Sequence, residues 1–232
     1  MPDQEWFRTV SCSAKGHPEI CLRVAGDQRL PATIQMEAAL LHFFESSVAA
    51  GTRFLPGQTV EFAGSILQLF ARPDGTLGVA DWIDGAWVDS VNDALMRTWL
   101  RQEVARSFGL DVVFPSQRDK VFICQQIHNS QESLLLKRGE VKPGDTGWYV
   151  GCTDTSHDHE APENLDIVPF TMITRDFPWL SQFFGLPPGT DLAVDMVTRV
   201  SVPVLWRGDD EVSPLPGSYV AMLNELARAA RS

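Results

Sequence analysis

The chain has 232 residues, 44% of them hydrophobic and including seven Trp and thirteen Phe, which is enough for one large core or two small ones. Nineteen Lys and Arg against thirty Asp and Glu give a formal net charge of −11, which disfavours nucleic acid and anionic membranes as partners and suits a cationic partner or plain solubility. The chain starts without the basic and apolar regions of a signal peptide, and no segment reaches the ~18 apolar residues of a membrane span, so we expect a cytoplasmic protein.

The first half of the chain alternates β-prone runs with segments of helical periodicity. The pattern predicts an opening hairpin from residues 6–12 and 20–24, a helix over 33–50, a long strand over 58–71 paired with 77–83, and a second helix from residue 89 or 90 to 107. Gly64 is expected to mark a bulge in the long strand.

The second half predicts more strands and two helical segments. Strands are expected at 121–127, 133–137, 148–150, 192–197 and 200–205, and helices over 170–184, broken at Pro178, and over 219–230. Clustered strands with hairpin turns favour an α+β fold with mostly antiparallel sheets, packed helices and two subregions. The polar segment 111–120 is the best candidate boundary, so the predicted ranges are an N-terminal region 1–115, a domain 116–206 and a C-terminal helical tail 207–232.

The four cysteines give no recognisable motif. Cys12, Cys21, Cys124 and Cys152 form no Cys-x-x-Cys pair, so neither a structural zinc site nor a redox dithiol is indicated. Reduced and mostly buried thiols are expected in the cytoplasm. A bridge between Cys12 and Cys21 across the opening hairpin has no further support.

The run His157-Asp158-His159-Glu160 is the obvious metal candidate, because His157 and His159 point the same way on an extended chain. A flexible acidic loop is nevertheless solvated by default, and the His-Glu-x-x-His pattern of a zinc helix is absent. We therefore favour a solvated loop and predict neither a metal nor any other cofactor.

Nothing in the sequence demands an enzyme. Cys152, five residues before His157, is the least implausible nucleophile, although a Cys directly after a strand is usually a small packed hydrophobe. Phosphate-binding loops and stripes of basic and aromatic residues are absent from the sequence. A metal-dependent or cysteine hydrolase centred on Cys152, His157 and His159 stays open as an alternative.

The tryptophans divide between core and surface. Trp148 and Trp179 have apolar or β-branched neighbours and are expected to be buried, whereas Trp82 and Trp87 flank the polar turn Asp84-Gly85 and are expected to be partly exposed. Such an exposed pair suits a protein partner, and it equally suits two rings packed on their own hairpin.

The order of landmarks over residues 120–194 resembles a known family. Asp145-Thr-Gly-Trp148 is similar to its glycine-tryptophan strand and Gly151 to Asp154 to the glycine and acid that follow, and later landmarks are Asn164-Leu165, Pro178-x-Leu180 and Pro188-x-Thr190. This order resembles the thirty-third numbered family of bacterial immunity proteins, which protect a cell from its own polymorphic toxins. Thr146 replaces an expected serine, and His157 and His159 interrupt the acidic run.

The resemblance implies a non-enzymatic binding protein that occludes a cognate toxin domain, with the first 115 residues attached to the immunity domain. Residues expected to meet the partner are Asp154, His157, Asp158, His159, Glu160, Glu163 and Asp166, together with Trp82 and Trp87. A toxin that attacks nucleic acid carries a basic face, which the acidic residues would attract. A self-assembling adaptor protein is a further alternative.

Overall fold

The computed structural model describes residues 4–25, 33–129, 133–159, 161–197 and 200–231, and the chain divides into two compact units, Met1–Trp99 and Leu100–Ser232. The chain passes from one unit to the next inside a helix, between Trp99 and Leu100. The ranges 1–115, 116–206 and 207–232 stay predictions.

The first unit contains a six-stranded sheet and a long helix. Its strands are β1 (Gln4–Arg8), β2 (Ile20–Ala25), β3 (Thr59–Phe62), β4 (Ser65–Ala71), β5 (Leu77–Ile83) and β6 (Ala86–Val88), and its helices are α1 (Ile34–Ala49) and the first part of α2 (Asn92–Ser107). The strand order is β1-β2-β5-β4-β3, with β6 on β5, and β2 and β5 are the one parallel pair among the described strands of this sheet. Leu40 and Phe44 of α1 are buried in one cluster with Leu67, Leu69 and Val79 of the sheet, as the helical spacing predicted.

The long strand predicted over 58–71 is wrong, because the chain turns back in its middle. Ala63 and Gly64 both have positive φ, 48° and 72°, and Phe62 pairs with Ser65 directly across them. Two consecutive left-handed residues form the tight turn that matches the twist of a hairpin. Gly64 therefore belongs to a hairpin turn and not to a bulge, and the single strand becomes β3 and β4.

The second unit contains a seven-stranded sheet. Its strands are β7 (Lys120–Cys124), β8 (Ser133–Arg138), β9 (Asp145–Cys152), β10 (Leu165–Pro169), β11 (Thr190–Val197), β12 (Val200–Arg207) and β13 (Asp210–Val212). Its helices are the rest of α2, α3 (Phe170–Asp176) and α4 (Tyr219–Arg231), with 3₁₀ turns at Ile127–Asn129, Pro162–Asn164 and Pro178–Gln182. The order is β10-β7-β9-β8-β11-β12-β13, and among the described strands of this sheet only β7 and β9 pair in parallel.

The core of the second unit includes the side chains on the inner face of β9. Trp148, Val150 and Cys152 point inward and are fully buried, because successive side chains of a strand face opposite sides. The Trp148 ring meets the edge of Phe184 at 5.3 Å between centroids, and the Arg138 guanidinium lies 5.2 Å from the Trp148 ring centre. The helices supply the rest of this core, including Val104 of α2 and others from the turn Pro178–Gln182.

The fold is α+β with two mixed, mostly antiparallel sheets, as predicted. The sequence pattern missed three short strands, β6, β10 and β13, each of which adds an edge pairing. Pro178 ends α3 and starts a 3₁₀ turn, as the predicted break required. Within the described ranges, no helix has the length and apolar character to cross a membrane.

Candidate functional site

The acidic segment lies between β9 and β10. Asp154, Asp158, Glu163 and Asp166 are all exposed, and Glu160 lies outside the described residues. Asp166 is already within β10, an edge strand of the sheet, so the segment runs from a loop onto that edge.

Hydrogen bonds within the segment give the loop a defined shape. The Asp154 carboxylate accepts from the backbone N–H of Ser156 at 2.8 Å and from its hydroxyl at 2.9 Å, an Asx turn. These bonds from Ser156 hold the pKa of Asp154 below its ordinary value. The Asn164 side chain donates to the Asp158 carbonyl at 2.8 Å, which ties the loop to the turn before β10.

The two histidines of this segment point away from solvent and toward two cysteines. His157 Nε2 lies 3.1 Å from Cys124 Sγ and 3.6 Å from Cys152 Sγ, and the two Sγ atoms are 3.7 Å apart. The rings of His157 and His159 are 4.3 Å apart between centroids. One ligand atom from each of Cys124, Cys152, His157 and His159 lies within 4.8 Å of all the others.

Parallel strand pairing places the two cysteines together. β7 and β9 pair in parallel, with Ile123 opposite Val150. The carboxyl ends of parallel strands meet at the same edge of a sheet. Cys124 is the last residue of β7 and Cys152 the last of β9, so both thiols end up under the loop that carries His157 and His159.

The cluster is partly buried. Cys124 and Cys152 are 0% exposed, whereas His157 and His159 are half-buried. Tyr149 lies beside them, with its hydroxyl 3.4 Å from His159 Nδ1. Burial raises the pKa of Tyr149 to about 12, and the neighbouring Cys124 and Cys152 act in the same direction.

The same burial weighs against a cysteine nucleophile. A catalytic thiol has to reach its substrate, and reactive cysteines are partly exposed. Neither Cys152 nor Cys124 has any exposed surface. The hydrolase alternative would therefore need the loop to open before substrate could approach Cys152.

Trp82 and Trp87 lie in the first unit as a cross-strand pair of β5 and β6. Their rings meet edge to face at 5.1 Å between centroids. Trp82 is still 49% exposed, and Trp87 is half-buried. The pair thus packs on its own hairpin and also presents one ring to solvent.

An exposed apolar pair accompanies the acidic segment in the second unit. Ile167 of β10 is paired with Phe122 of β7, and they are 56% and 36% exposed. Ile167 directly follows the exposed Asp166. The sequence-based prediction named neither residue. β10 was not predicted as a strand, and for the strand that contains Phe122 the pattern did not predict which side chains face solvent.

Sequence reasoning also missed Cys124 and Tyr149 as members of the cluster. Cys124 is separated from Cys152 by 28 residues, and no short motif relates them. The predicted strands gave no signal for the pair, since Cys124 lies inside the predicted strand 121–127 and Cys152 lies two residues after the predicted strand 148–150, whereas β7 and β9 end at these two cysteines. The parallel pairing of β7 with β9 brings the two cysteines together, and residue spacing does not predict that pairing.

Comparison with curated proteins and with solved structures gives no match. A family model described as the Imm33-like domain matches residues 100–202. The match starts inside α2 with the second unit, earlier than the predicted range 116–206, and includes both the acidic segment and the Cys–His cluster. It confirms the resemblance seen over residues 120–194: residues 100–202 of this chain are similar to the Imm33-like domain.

Proposed function

We propose that this chain is a cytoplasmic immunity protein that binds a cognate bacterial toxin and blocks it. The observation that carries the proposal is the match of residues 100–202 to the Imm33-like domain. Such a protein acts by surface complementarity, so it needs no reaction of its own.

The acidic segment is the proposed contact surface. Asp154, Asp158, Glu163 and Asp166 are exposed within thirteen consecutive positions, 154–166, of a chain with a net charge of −11. A toxin that acts on nucleic acid presents positive charge to its substrate. Opposite charge on the inhibitor raises the rate of association and favours the basic face over other surfaces.

The exposed pair Phe122 and Ile167 adds an apolar patch at the same edge of the sheet. Protein interfaces combine buried apolar anchors with a polar rim, and the anchors carry most of the binding energy. Ile167 of β10 pairs with Phe122 of β7, and the alternation of the strand turns both away from the face of Asp166. Salt screens charges but not apolar contacts, so these two residues supply the part of the affinity that salt does not remove.

The half-exposed Trp82 is a second proposed contact, since an exposed aromatic ring is a common anchor in interfaces. A Trp82→Ala variant that binds the toxin at least tenfold more weakly would support this role. Unchanged affinity would leave Trp82 and Trp87 as a pair that only stabilises the β5–β6 hairpin.

The first test is protection from toxicity. The toxin-like product of the adjacent gene is expressed in a sensitive bacterium with and without this chain, and the two proteins are then co-purified. Rescue of growth together with a stable complex supports the proposal. A toxic neighbour that this chain neither binds nor neutralises would contradict it.

The second test locates the surface by charge reversal. Asp158→Lys, Glu163→Lys and Asp166→Lys are combined in one variant. The matched control is Asp209→Lys, Asp210→Lys and Glu211→Lys, three exposed acids at the opposite edge of the same sheet, at the start of and just before β13. Each triple variant changes the net charge by the same amount, from −11 to −5, since each reversal adds two charges.

The first variant is expected to associate with the toxin at least tenfold more slowly at low salt, with a weaker dependence of the rate on salt concentration. The control is expected to change the rate much less, because the charges that it alters are remote from the proposed surface. Equal losses in both variants would mean that only net charge matters and that residues 154–166 are not the contact surface.

The alternatives predict different results. A self-assembling adaptor would form a closed oligomer in light scattering without any toxin. A hydrolase centred on Cys152, His157 and His159 would turn over a substrate and lose that activity in Cys152→Ser.

A further inference from the structure

We propose that Cys124, Cys152, His157 and His159 form a structural zinc site. The four residues come from three separate places in the chain, the ends of β7 and β9 and the loop that follows β9. Two thiolates and two imidazoles are a ligand set that zinc accepts in structural sites.

The distances among three of the four ligand atoms fit one tetrahedral ion, and the ligand atom of His159 lies within 4.8 Å of each of them. Zinc binds sulfur at about 2.3 Å and nitrogen at about 2.0–2.1 Å, so tetrahedral geometry places two sulfur ligands about 3.8 Å apart and sulfur and nitrogen about 3.5 Å apart. The observed separations are 3.7 Å for the two Sγ atoms and 3.1 and 3.6 Å for His157 Nε2 to each of them. A point between these atoms is thus within bonding distance of all three.

Hydrogen bonding assigns the coordinating nitrogen of His159. Its Nε2 lies 2.7 Å from the Asp154 carbonyl oxygen. A carbonyl only accepts, so Nε2 carries the proton and Nδ1 of the neutral ring keeps its lone pair. Metal-bound histidines are oriented in this way by a carbonyl partner on the other nitrogen. The Tyr149 hydroxyl is 3.4 Å from Nδ1, too far for an ordinary hydrogen bond to occupy it.

One backbone donor points at the Cys124 sulfur. The backbone N–H of Gln126 donates to Cys124 Sγ at 3.4 Å. A buried thiolate needs such donors or a cation, because burial alone favours the neutral thiol. A divalent ion shared by Cys124 and Cys152 would balance both negative charges.

The site is structural and not catalytic, because four protein ligands fill a tetrahedral zinc ion and leave no place for a reactive water. A disulfide does not explain the cluster either. The sulfur atoms are 3.7 Å apart, whereas a bond requires about 2.05 Å.

Zinc would join the loop that carries Asp154 and Asp158 to the ends of β7 and β9. Both histidines lie within this loop, so two metal bonds would restrict the conformations of residues 153–159. Zinc would thereby hold Asp154 and Asp158 in place for the toxin, and this role of the ion rests on the proposed function. The metal site itself does not rest on that function. A chain that binds zinc but no toxin would support the zinc site and contradict the proposed immunity function.

The test starts with the untagged full-length protein purified under reducing conditions. Elemental analysis is expected to find one zinc per chain after dialysis, held with a dissociation constant below about 100 nM against a chromogenic chelator. Cobalt(II) in place of zinc is expected to give the absorption of a tetrahedral ion with thiolate ligands. Protein that takes up no zinc, or a Cys124–Cys152 disulfide in mass spectra of protein purified without reductant and exposed to zinc, would overturn the proposal.

Matched variants locate the site. Cys124→Ser and His157→Ala are expected to reduce zinc content to less than a tenth, whereas Cys21→Ser and His42→Ala, in the first unit, leave it unchanged. If the ligand variants do not fold, the wild-type protein is stripped with chelator, and its melting temperature is measured before and after zinc is restored. Zinc that stays bound in both ligand variants, or a melting temperature unaffected by stripping and restoring, would refute the assignment.

Discussion

Glu19 shows how one carboxylate organises the start of the chain. It accepts hydrogen bonds from the Thr9 hydroxyl at 2.5 Å and from the Ser13 backbone N–H at 2.8 Å. Burial alone would raise the pKa of Glu19, but these donors outweigh it and lower the pKa below its ordinary value. The residue thus links β1 to the turn before β2.

A Glu19→Gln substitution is expected to lower the free energy of unfolding of the first unit by about 1 kcal/mol at pH 7. A carboxyl whose pKa is lower in the folded state stabilises the protein above its unfolded pKa, and this stability is lost as the pH falls through the folded value. The difference between variant and wild type should therefore shrink below about pH 4.3. Urea unfolding at pH 7 and pH 3 measures it, and an equal difference at both pH values would contradict the account.

At the scale of elements, β9 requires glycine at position 147. Gly147 has a φ of +74°, and a Cβ there would lie 2.7 Å from the Gly139 carbonyl oxygen and 3.0 Å from that of Glu140. The positive φ of Gly147 lets the backbone at Gly139 and Glu140 approach the strand closely, while Trp148 enters the core. The glycine-tryptophan pair of the family landmark thus has a steric reason.

Gly147→Ala is expected to destabilise the second unit by about 3 kcal/mol, from the left-handed backbone and the close carbonyls together. Gly144→Ala is the matched control, because Gly144 has a φ of +80° but no atom within 4 Å of the added Cβ. Its cost should stay near the backbone penalty of about 1 kcal/mol. Chemical unfolding of both variants separates the two contributions, and equal losses would mean that the carbonyls move aside.

Periodicity predicted most of the elements because it depends on neighbours in the chain. The stripe of Met36, Leu40 and Phe44 identified α1 from spacing alone. The turn at Ala63-Gly64 was missed because an alanine rarely adopts positive φ, and the pattern of alternation continued through it. The acidic segment was visible in the sequence, whereas the Cys–His cluster depends on the parallel pairing of β7 with β9, which only the tertiary structure determines.

At the scale of the whole molecule, the two units have separate hydrophobic clusters. One is centred on α1 and the first sheet and the other on β8, β9 and the helices of the second unit. Leu40 and Leu136 are each fully buried, one in each cluster. The chain therefore offers two equivalent probes, since both are leucines with no exposed surface.

Leu40→Ala and Leu136→Ala are each expected to cost about 3 kcal/mol, because each removes the same buried atoms and leaves a cavity. If each cluster stabilises its own unit, Leu40→Ala lowers the free energy of unfolding of the first unit, and Leu136→Ala lowers that of the second unit. Hydrogen exchange with mass spectrometry distinguishes them, since peptides of α1 and of β9 report on different units. Faster exchange in both sets of peptides for either variant would mean that the chain unfolds as one cooperative unit, and the second unit would then depend on the first 99 residues for its stability.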